Sequence, residues 1–462
     1  MSAARTTHST RLGAALAAVA GIRLEPLAAG LALALCSMLS QAQSLQELYD
    51  AARSYDATYL AARATAEAAQ YRLDQSKALR LPTASISAST TRSGTDAPKI
   101  DENFYGTANQ ATLNARQPIF NKTNTETIAS AEKAYQIATF DLQAAEQDLI
   151  VRLSQAYFDV LSAQDNLATT EANLKAITEQ LASAKRNFEV GTATITDTRE
   201  AQARYDLTQA QQIAADNDLR TRRAALDTLV GKTDVAPRPL AVPVLIPPLS
   251  STLQDWLATA NSDSPDVRRA RLAYDIAQIE TEKARAGHLP TLDLVGSVGA
   301  NNNTGLSGGG TGNAQLPGTY RNASIGLQLN IPVFAGYAVQ NRVKETLSLA
   351  EKAREDLAGA QRNVDLGTRT AFLAVSSGRA LVKALEAAES SSKLALEATE
   401  LGYKVGLRVT LDVLNAQTQL FTTQRDLAKA RYDLILAEVR LRQVSGSLGP
   451  ADVAVADRLL AK

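Results

Sequence analysis

One long internal repeat restricts the fold of this chain more than any other feature. The stretch Phe188–Gln202 reads FEVGTATITDTREAQ, and the stretch Tyr403–Gln417 reads YKVGLRVTLDVLNAQ. The two stretches align without a gap, and in each a Gly follows a helix-periodic segment while Thr and Asp precede the next one. This order is typical of a helix that stops and restarts. We therefore predict a duplicated domain with two helical hairpins, which turn at Gly191 and Gly406.

The segments around these turns favour very long helices with narrow apolar seams. Apolar residues recur in steps of three and four from Leu149 to Phe188, which is a heptad pattern. Aromatic residues make up only 5% of the 462 residues, which suits a coiled coil better than a globular core. We predict a helix over 123–190, a second of about 65 residues before Val405, and shorter partner helices after each turn. At 1.5 Å per residue, about 68 residues extend roughly 100 Å.

Two pairs of amphipathic strands are predicted, one pair in each half of the chain. In the first pair, Ala84 and Ile86 alternate with serines, and the alternation returns around Leu113. The second pair shows the same period around Leu294 and Ile325, and polar loops at 92–103 and 301–318 join the strands of each pair. Single helices are expected before each pair, over 44–79 and 252–287.

The repeat also defines the organisation of the chain. Five prolines in 234–250 indicate a stiff linker between the halves. The predicted segments are a signal peptide at 1–42, a first repeat at 43–233, the linker at 234–250, a second repeat at 251–449 and a C-terminal tail at 450–462.

The first 42 residues have the features of a secretory signal peptide. Three arginines precede an apolar run over 27–39, and Ser40 and Ala42 supply the small residues of a cleavage site. A membrane anchor is the alternative, but the run is shorter than the roughly 20 residues that a spanning helix needs. Lipidation at Cys36 is a second alternative, which Leu35 disfavours because a small residue is usual there.

The composition excludes several function classes. After cleavage the chain has no cysteine and one histidine, His288, so thiolate metal sites and His-based catalytic sets cannot be assembled. We expect no enzyme activity, no metal and no cofactor. The remaining net charge is −2, and without a basic cluster no nucleic acid is expected as a partner.

Four amphipathic strands present a problem that one chain cannot solve. Four strands leave two unpaired edges and cannot close a barrel in lipid. Three copies would supply twelve strands, enough for a water-filled lumen. The alternative is that the strands form two hairpins packed on a soluble domain.

The mature chain resembles the TolC family of outer-membrane channel proteins. The motifs that carry the resemblance are Leu81-Pro82, Pro118-Ile119-Phe120, Val190-Gly191 with Ile195-Thr196-Asp197, Leu289-Pro290, Pro332-Val333-Phe334, and Tyr403-Lys404-Val405-Gly406 with Asp412-Val413-Leu414. The resemblance implies a mainly α fold with a membrane β-barrel: a homotrimer with a 12-stranded β-barrel in the outer-membrane lipid and a 12-helix tunnel through the periplasm. It implies an exit duct for type I protein secretion or multidrug efflux. The implied partners are a periplasmic adaptor and an inner-membrane pump, driven by ATP (an ABC transporter) or by protons.

The resemblance also assigns roles at the two turns. It places them at a closed periplasmic tip, where Tyr403 and Arg408 would bond to Thr196 and Asp197. Asp412 would form a cation-selective ring at the entrance. Asn415 departs from the family pattern, because some members carry a second acid there.

Two alternatives to these implications stay open. Asp197 and Asp412 could instead cap their helices, since Asp is common near a helix start. The whole chain could also be a periplasmic coiled-coil adaptor or scaffold that does not insert in the membrane, although its duplicated order argues against that function.

Overall fold

A computed structural model of the chain describes residues 43–95, 104–241, 251–304 and 317–461. The predicted signal peptide, most of the linker and the central parts of both predicted strand loops lie outside these residues. The helices and strands are α1 (Leu45–Tyr55), α2 (Ala57–Lys77), β1 (Thr83–Thr95), β2 (Phe104–Phe120), α3 (Lys122–Glu189), α4 (Ile195–Val230), α5 (Leu253–Asp263), α6 (Pro265–Ala286), β3 (Thr291–Thr304), β4 (Gly318–Asn330), α7 (Ala338–Lys404), α8 (Thr410–Val444) and α9 (Pro450–Asp457).

The order of these elements is duplicated, as the repeat predicts. Each half consists of two short helices, two strands, one very long helix and one shorter helix. The long helices α3 and α7 contain 68 and 67 residues, and their partners α4 and α8 contain 36 and 35. The mainly α architecture with four strands is thus confirmed. The predicted tail contains the short helix α9.

The predictions of single helices over 44–79 and 252–287 are wrong, because each stretch forms two helices. In the first half, the Asp56 carboxylate accepts a hydrogen bond from the Tyr59 amide (2.8 Å) and so caps α2. Arg152 of α3 donates two further hydrogen bonds to it (3.0 and 3.1 Å), and these hold the pKa of Asp56 below its usual range. In the second half, Pro265 begins α6, and a proline disfavours helical geometry at the preceding Ser264.

The strands form one antiparallel meander in the order β1-β2-β3-β4. The central pair, β2 and β3, joins the two halves of the chain. Within the described residues, β1 and β4 each have one unpaired edge. The predicted strands are therefore confirmed, and one chain leaves the sheet open.

The two faces of the sheet differ in polarity. Paired residues of the four strands point to the same face. One face, here called the outer face, is apolar and exposed: Ile86, Leu113, Val298 and Ile325 are 78%, 45%, 59% and 81% exposed. The opposite face carries polar residues in register: Ser85, Ser87, Asn114, Thr112, Ser297, Ser324 and Asn322. Nothing in the described chain covers the outer face.

The main apolar core lies where α1, α3, α4, α8 and α9 meet. Its largest fully buried side chains include Tyr49, Leu153, Tyr157 and Phe158. The start, middle and end of the described chain come together here: the Gln43 amide donates to the Ala236 carbonyl (2.8 Å), and the Ala461 amide donates to the Pro239 carbonyl (2.8 Å). Among the described helices, none is both long and apolar enough to span a membrane.

Candidate functional site at the hairpin turns

The two hairpin turns have the same backbone. Gly191 and Gly406 adopt φ values of +80° and +79°, the left-handed region that favours glycine. The Thr192 amide donates to the Asn187 carbonyl (2.8 Å), and in the second turn the Leu407 amide donates to the Gly402 carbonyl (2.8 Å). These bonds satisfy carbonyls at the ends of α3 and α7.

The helix starts after the two turns differ. Thr194 precedes α4, and its hydroxyl accepts a hydrogen bond from the Asp197 amide (3.2 Å). The Asp197 carboxylate in turn accepts from the Thr194 amide (2.9 Å), which completes a capping box. Val409 occupies the equivalent position before α8, and its side chain makes no capping bond.

The two equivalent aspartates therefore have different partners. The Asp197 carboxylate is engaged by the start of its own helix, as the capping alternative proposed. The Asp412 carboxylate, without a capping hydroxyl beside it, lies 3.6 Å from the Arg408 guanidinium. Both partners are partly exposed, so this pair contributes little stability. Asp412 also lies in the first turn of α8, where a negative charge is favourable.

Near the turns, two side-chain hydrogen bonds among the described residues join the first hairpin to the second. The Asn187 amide donates to the Tyr403 hydroxyl oxygen (3.1 Å), and the Arg204 guanidinium donates to the Asn415 carbonyl oxygen (3.0 Å). Sequence reasoning missed Asn187 and Arg204. The repeat contained one signal for Asn187: at the equivalent position the second hairpin has Gly402, which has no side chain. The two turns therefore differ in side-chain contacts at this position.

The structure does not bring all predicted gate residues together. Within the described parts of one chain, Tyr403 accepts a hydrogen bond from Asn187, and Arg408 forms an ion pair with Asp412. Neither Tyr403 nor Arg408 contacts Thr196 or Asp197 through a hydrogen bond or ion pair in these parts of the chain. Thr196 is exposed. The links from the second hairpin to Thr196 and Asp197 stay a prediction, one that concerns the assembled protein.

A small apolar cluster supports the tip. Its buried members come from α3, α4 and α8: Ile177, Leu181, Ala184, Ala201 and Leu414. The partly buried Tyr205 packs against this cluster. The three helices are thus packed together close to the turns. Among the described residues, no group of three or more His, Cys, Asp or Glu side chains could hold a metal ion.

Comparison with known proteins gives the family. The sequence profile of the outer membrane efflux protein family matches residues 48–232 and 256–447. The chain is 31% identical over 446 residues to the outer membrane protein TolC of Escherichia coli strain K12, and the match covers 95% of this chain and 90% of that protein. It is 32% identical over 348 residues to the alkaline protease secretion protein AprF of Pseudomonas aeruginosa, with 74% and 70% covered.

Solved structures share the fold. The CmeC outer-membrane channel of Campylobacter jejuni superimposes with a TM-score of 0.75 at 20% identity, and the match covers 90% of both chains. The open four-stranded sheet joined to long helical hairpins is therefore a fold that this chain shares with CmeC. The chain belongs to the outer membrane efflux protein family.

Proposed function

We propose that this protein is the outer-membrane exit duct of a tripartite export system, a passive channel for efflux and type I secretion. One observation carries the proposal: the four-stranded sheet has an exposed apolar face, a polar opposite face and two free edges within the described residues. The named functions of the relatives support it, since TolC is an outer-membrane protein and AprF a protease secretion protein.

The two free edges support closure by three chains. If β4 of each chain pairs with β1 of the next, twelve strands close into a homotrimeric barrel and no edge remains. The apolar outer faces then contact lipid, and the polar faces line a lumen of aqueous-channel size. The long hairpins extend away from the barrel, and α3 alone is roughly 100 Å long at 1.5 Å per residue. This length allows a tunnel deep into the periplasm.

The partners and location in this proposal are supported by membership of the outer membrane efflux protein family. After cleavage of residues 1–42, the barrel is inserted in the outer membrane and the helices occupy the periplasm. The tip meets a periplasmic adaptor and an inner-membrane pump, which is an ABC transporter or a proton-driven pump. The two strand loops at 92–103 and 301–318 face the cell exterior. The duct itself needs no cofactor and catalyses no reaction.

The tip of the tunnel is the gate in this proposal. Tyr403 and Arg408 hold the second hairpin against the first, and opening requires that the hairpins separate. The hydrogen bond from Asn187 to Tyr403 supports a restraining role for that tyrosine. Asp412 of the three chains forms a ring of carboxylates at the entrance, where mutual repulsion favours bound cations.

Cell fractionation combined with surface labelling tests the proposed location. We expect the protein in outer-membrane fractions, extractable only with detergent, and an epitope inserted at 301–318 accessible on intact cells. A monomer in the soluble periplasmic fraction would support the alternative, a coiled-coil adaptor. Protection of both loops would mean that the barrel is absent or inverted.

A further inference from the structure

The outer face of the sheet carries a charged residue at one defined height. The register places Ile86, Leu113, Val298 and Ala323 in one row across the four strands. The next row towards the loops on this face contains Ala88, Ala111, Ala300 and Arg321. The row above it, here called the rim row, is entirely polar: Thr90, Asn109, Asn302 and Thr319. Arg321 therefore marks the border between an apolar band and a polar rim.

The height of this border matches a membrane surface. The apolar band extends along β3 from Leu292 to Ala300, which is about 26 Å along a strand. With a strand tilt of about 40°, the band is roughly 20 Å high, close to the height usual for outer-membrane barrels. An arginine on the lipid face is strongly unfavourable at the bilayer midplane but is tolerated near the interface. Arg321 thus lies where its charge can reach the headgroups.

The Arg321 side chain is available for a ligand. It is exposed, and in the described parts of the chain no carboxylate pairs with its guanidinium. A second cation lies higher on the same face, where the Arg92 guanidinium is 5.9 Å from the centre of the Tyr105 ring. Exposed aromatic residues occur at both ends of the sheet: Tyr105 and Tyr320 near the loops, and Phe120, Phe334 and Tyr337 at the opposite end. The two arginines are what distinguishes the loop end of the outer face.

Two adjoining grooves on this face could hold an amphiphilic molecule. A groove of about 470 Å³ is lined by Ile86, Leu113, Val298 and Ala323, with Arg321 at its border. A second groove of about 520 Å³ lies above it and is lined by all four residues of the rim row. Ala88, Ala111 and Ala300 also line the second groove, so its wall is mainly apolar and an acyl chain can extend through both grooves. The hydroxyl and amide groups of the rim row lie at the upper side of the second groove, where they suit a sugar.

We propose that Arg321 and the rim row bind lipid A of the outer leaflet, a phosphorylated and acylated disaccharide. The guanidinium binds a phosphate of the headgroup, the rim row contacts the sugar, and an acyl chain occupies the apolar groove. Charge complementarity favours this occupant, because a cation that pairs with no carboxylate of the described residues, at the border of an apolar band, attracts an anionic headgroup. The inference rests on the proposed function, since it requires the barrel to be in the outer membrane.

Native mass spectrometry of the detergent-purified protein, titrated with bis-phosphorylated lipid A, tests this site. We expect lipid-bound trimers with the wild-type chain and affinity lower on the order of tenfold with Arg321→Gln, because a charge-assisted bond is lost. Arg321→Lys should retain part of the affinity. Arg72→Gln is the matched control, since it removes an exposed cation from α2, outside the barrel.

Several outcomes would overturn the inference. Equal affinity of wild type and Arg321→Gln would exclude Arg321, and equal binding of dephosphorylated lipid A would exclude phosphate recognition. Full displacement by millimolar inorganic phosphate would indicate an anion site without lipid recognition. Failure to detect any trimer would overturn both this inference and the proposed function, whereas a conducting trimer with unchanged lipid affinity would overturn this inference alone.

Discussion

The two hairpin turns have the same backbone conformation but different side-chain contacts. Gly191 and Gly406 share a left-handed conformation, and the same amide-to-carbonyl bonds close both turns. After the first turn, Thr194 and Asp197 cap α4 with each other. After the second, Val409 offers no hydroxyl and Asp412 lies beside Arg408 instead.

This difference shows how a duplicated structure can acquire two functions. In the first copy, the Asp197 carboxylate caps its own helix and so stabilises the hairpin. One Thr-to-Val difference leaves the carboxylate of the second copy without that partner, which makes Asp412 available for ions or for Arg408. The second hairpin is thus the better candidate for the entrance ring, and the first hairpin is the better fixed support.

Removing the links of the second hairpin should have the largest effect. Tyr403→Phe with Arg408→Ser should raise single-channel conductance in planar bilayers, because the bond from Asn187 and the proposed link of Arg408 to the first hairpin are both lost. At about 1 kcal/mol per bond, the closed–open equilibrium would shift on the order of thirtyfold per chain. The amount of trimer should stay the same. If the conductance is unchanged, Tyr403 and Arg408 have only a packing role and do not restrain the gate.

Asn187 sharpens this test, because it is the partner of Tyr403 within one chain. Asn187→Ala should raise the conductance about as much as Tyr403→Phe, and the two changes together should add little to either one. Fully additive effects would show that the Asn187–Tyr403 bond does not act in the gate.

The next largest effect concerns Asp412. The wild-type channel should be cation-selective and blocked by multivalent cations, and Asp412→Ala should weaken the block on the order of tenfold while export continues. Asn415→Asp should tighten the block by a smaller factor, because Arg204, 3.0 Å from the Asn415 oxygen, would pair with the new carboxylate. Reversal potentials and blocker titrations measure both. Equal block in wild type and Asp412→Ala would leave Asp412 only a role at its helix start.

The shared backbone predicts equal effects at the two glycines. No atom lies within 4 Å of a Cβ added at Gly191 or Gly406, so alanine there introduces backbone strain and no clash. The strain is about 1–2 kcal/mol in each case. Limited proteolysis of the purified trimer should therefore cut both variant tips faster and to a similar extent. A strong effect at only one turn would contradict the equivalence of the turns.

The smallest effects should come from the caps. Thr194→Ala should destabilise the first turn of α4 by about 1 kcal/mol, and Val409→Thr should stabilise the first turn of α8 by a similar amount. Hydrogen exchange at the two helix starts measures both changes. Val409→Ala is the matched control because it adds no hydroxyl. If Val409→Thr protects α8 no better than Val409→Ala, the missing hydroxyl does not explain the difference between the turns.

The periodic patterns of the sequence predicted the strands and the long helices, because these elements are determined locally. The two-residue period revealed the strand faces, the heptad period revealed α3, and the repeated order of the chain indicated α7. The break at Asp56 escaped prediction because the Ala-rich sequence continues through it, and Arg152, which is distant in sequence, holds the aspartate in place. In the second half, Pro265 is by itself a local signal for the break, because a proline disfavours helical geometry at the residue before it. The contact between Arg204 and Asn415 depends on how the hairpins pack, which no periodicity in one segment can reveal.

The oligomeric state of the detergent-purified protein tests the central claim most directly, because the described part of one chain leaves both sheet edges unpaired. Native mass spectrometry should give the mass of three mature chains, and the same preparation should form ion-conducting channels in planar bilayers. A stable monomer without channel activity would contradict closure of the barrel by three copies and, with it, the function proposed for this protein.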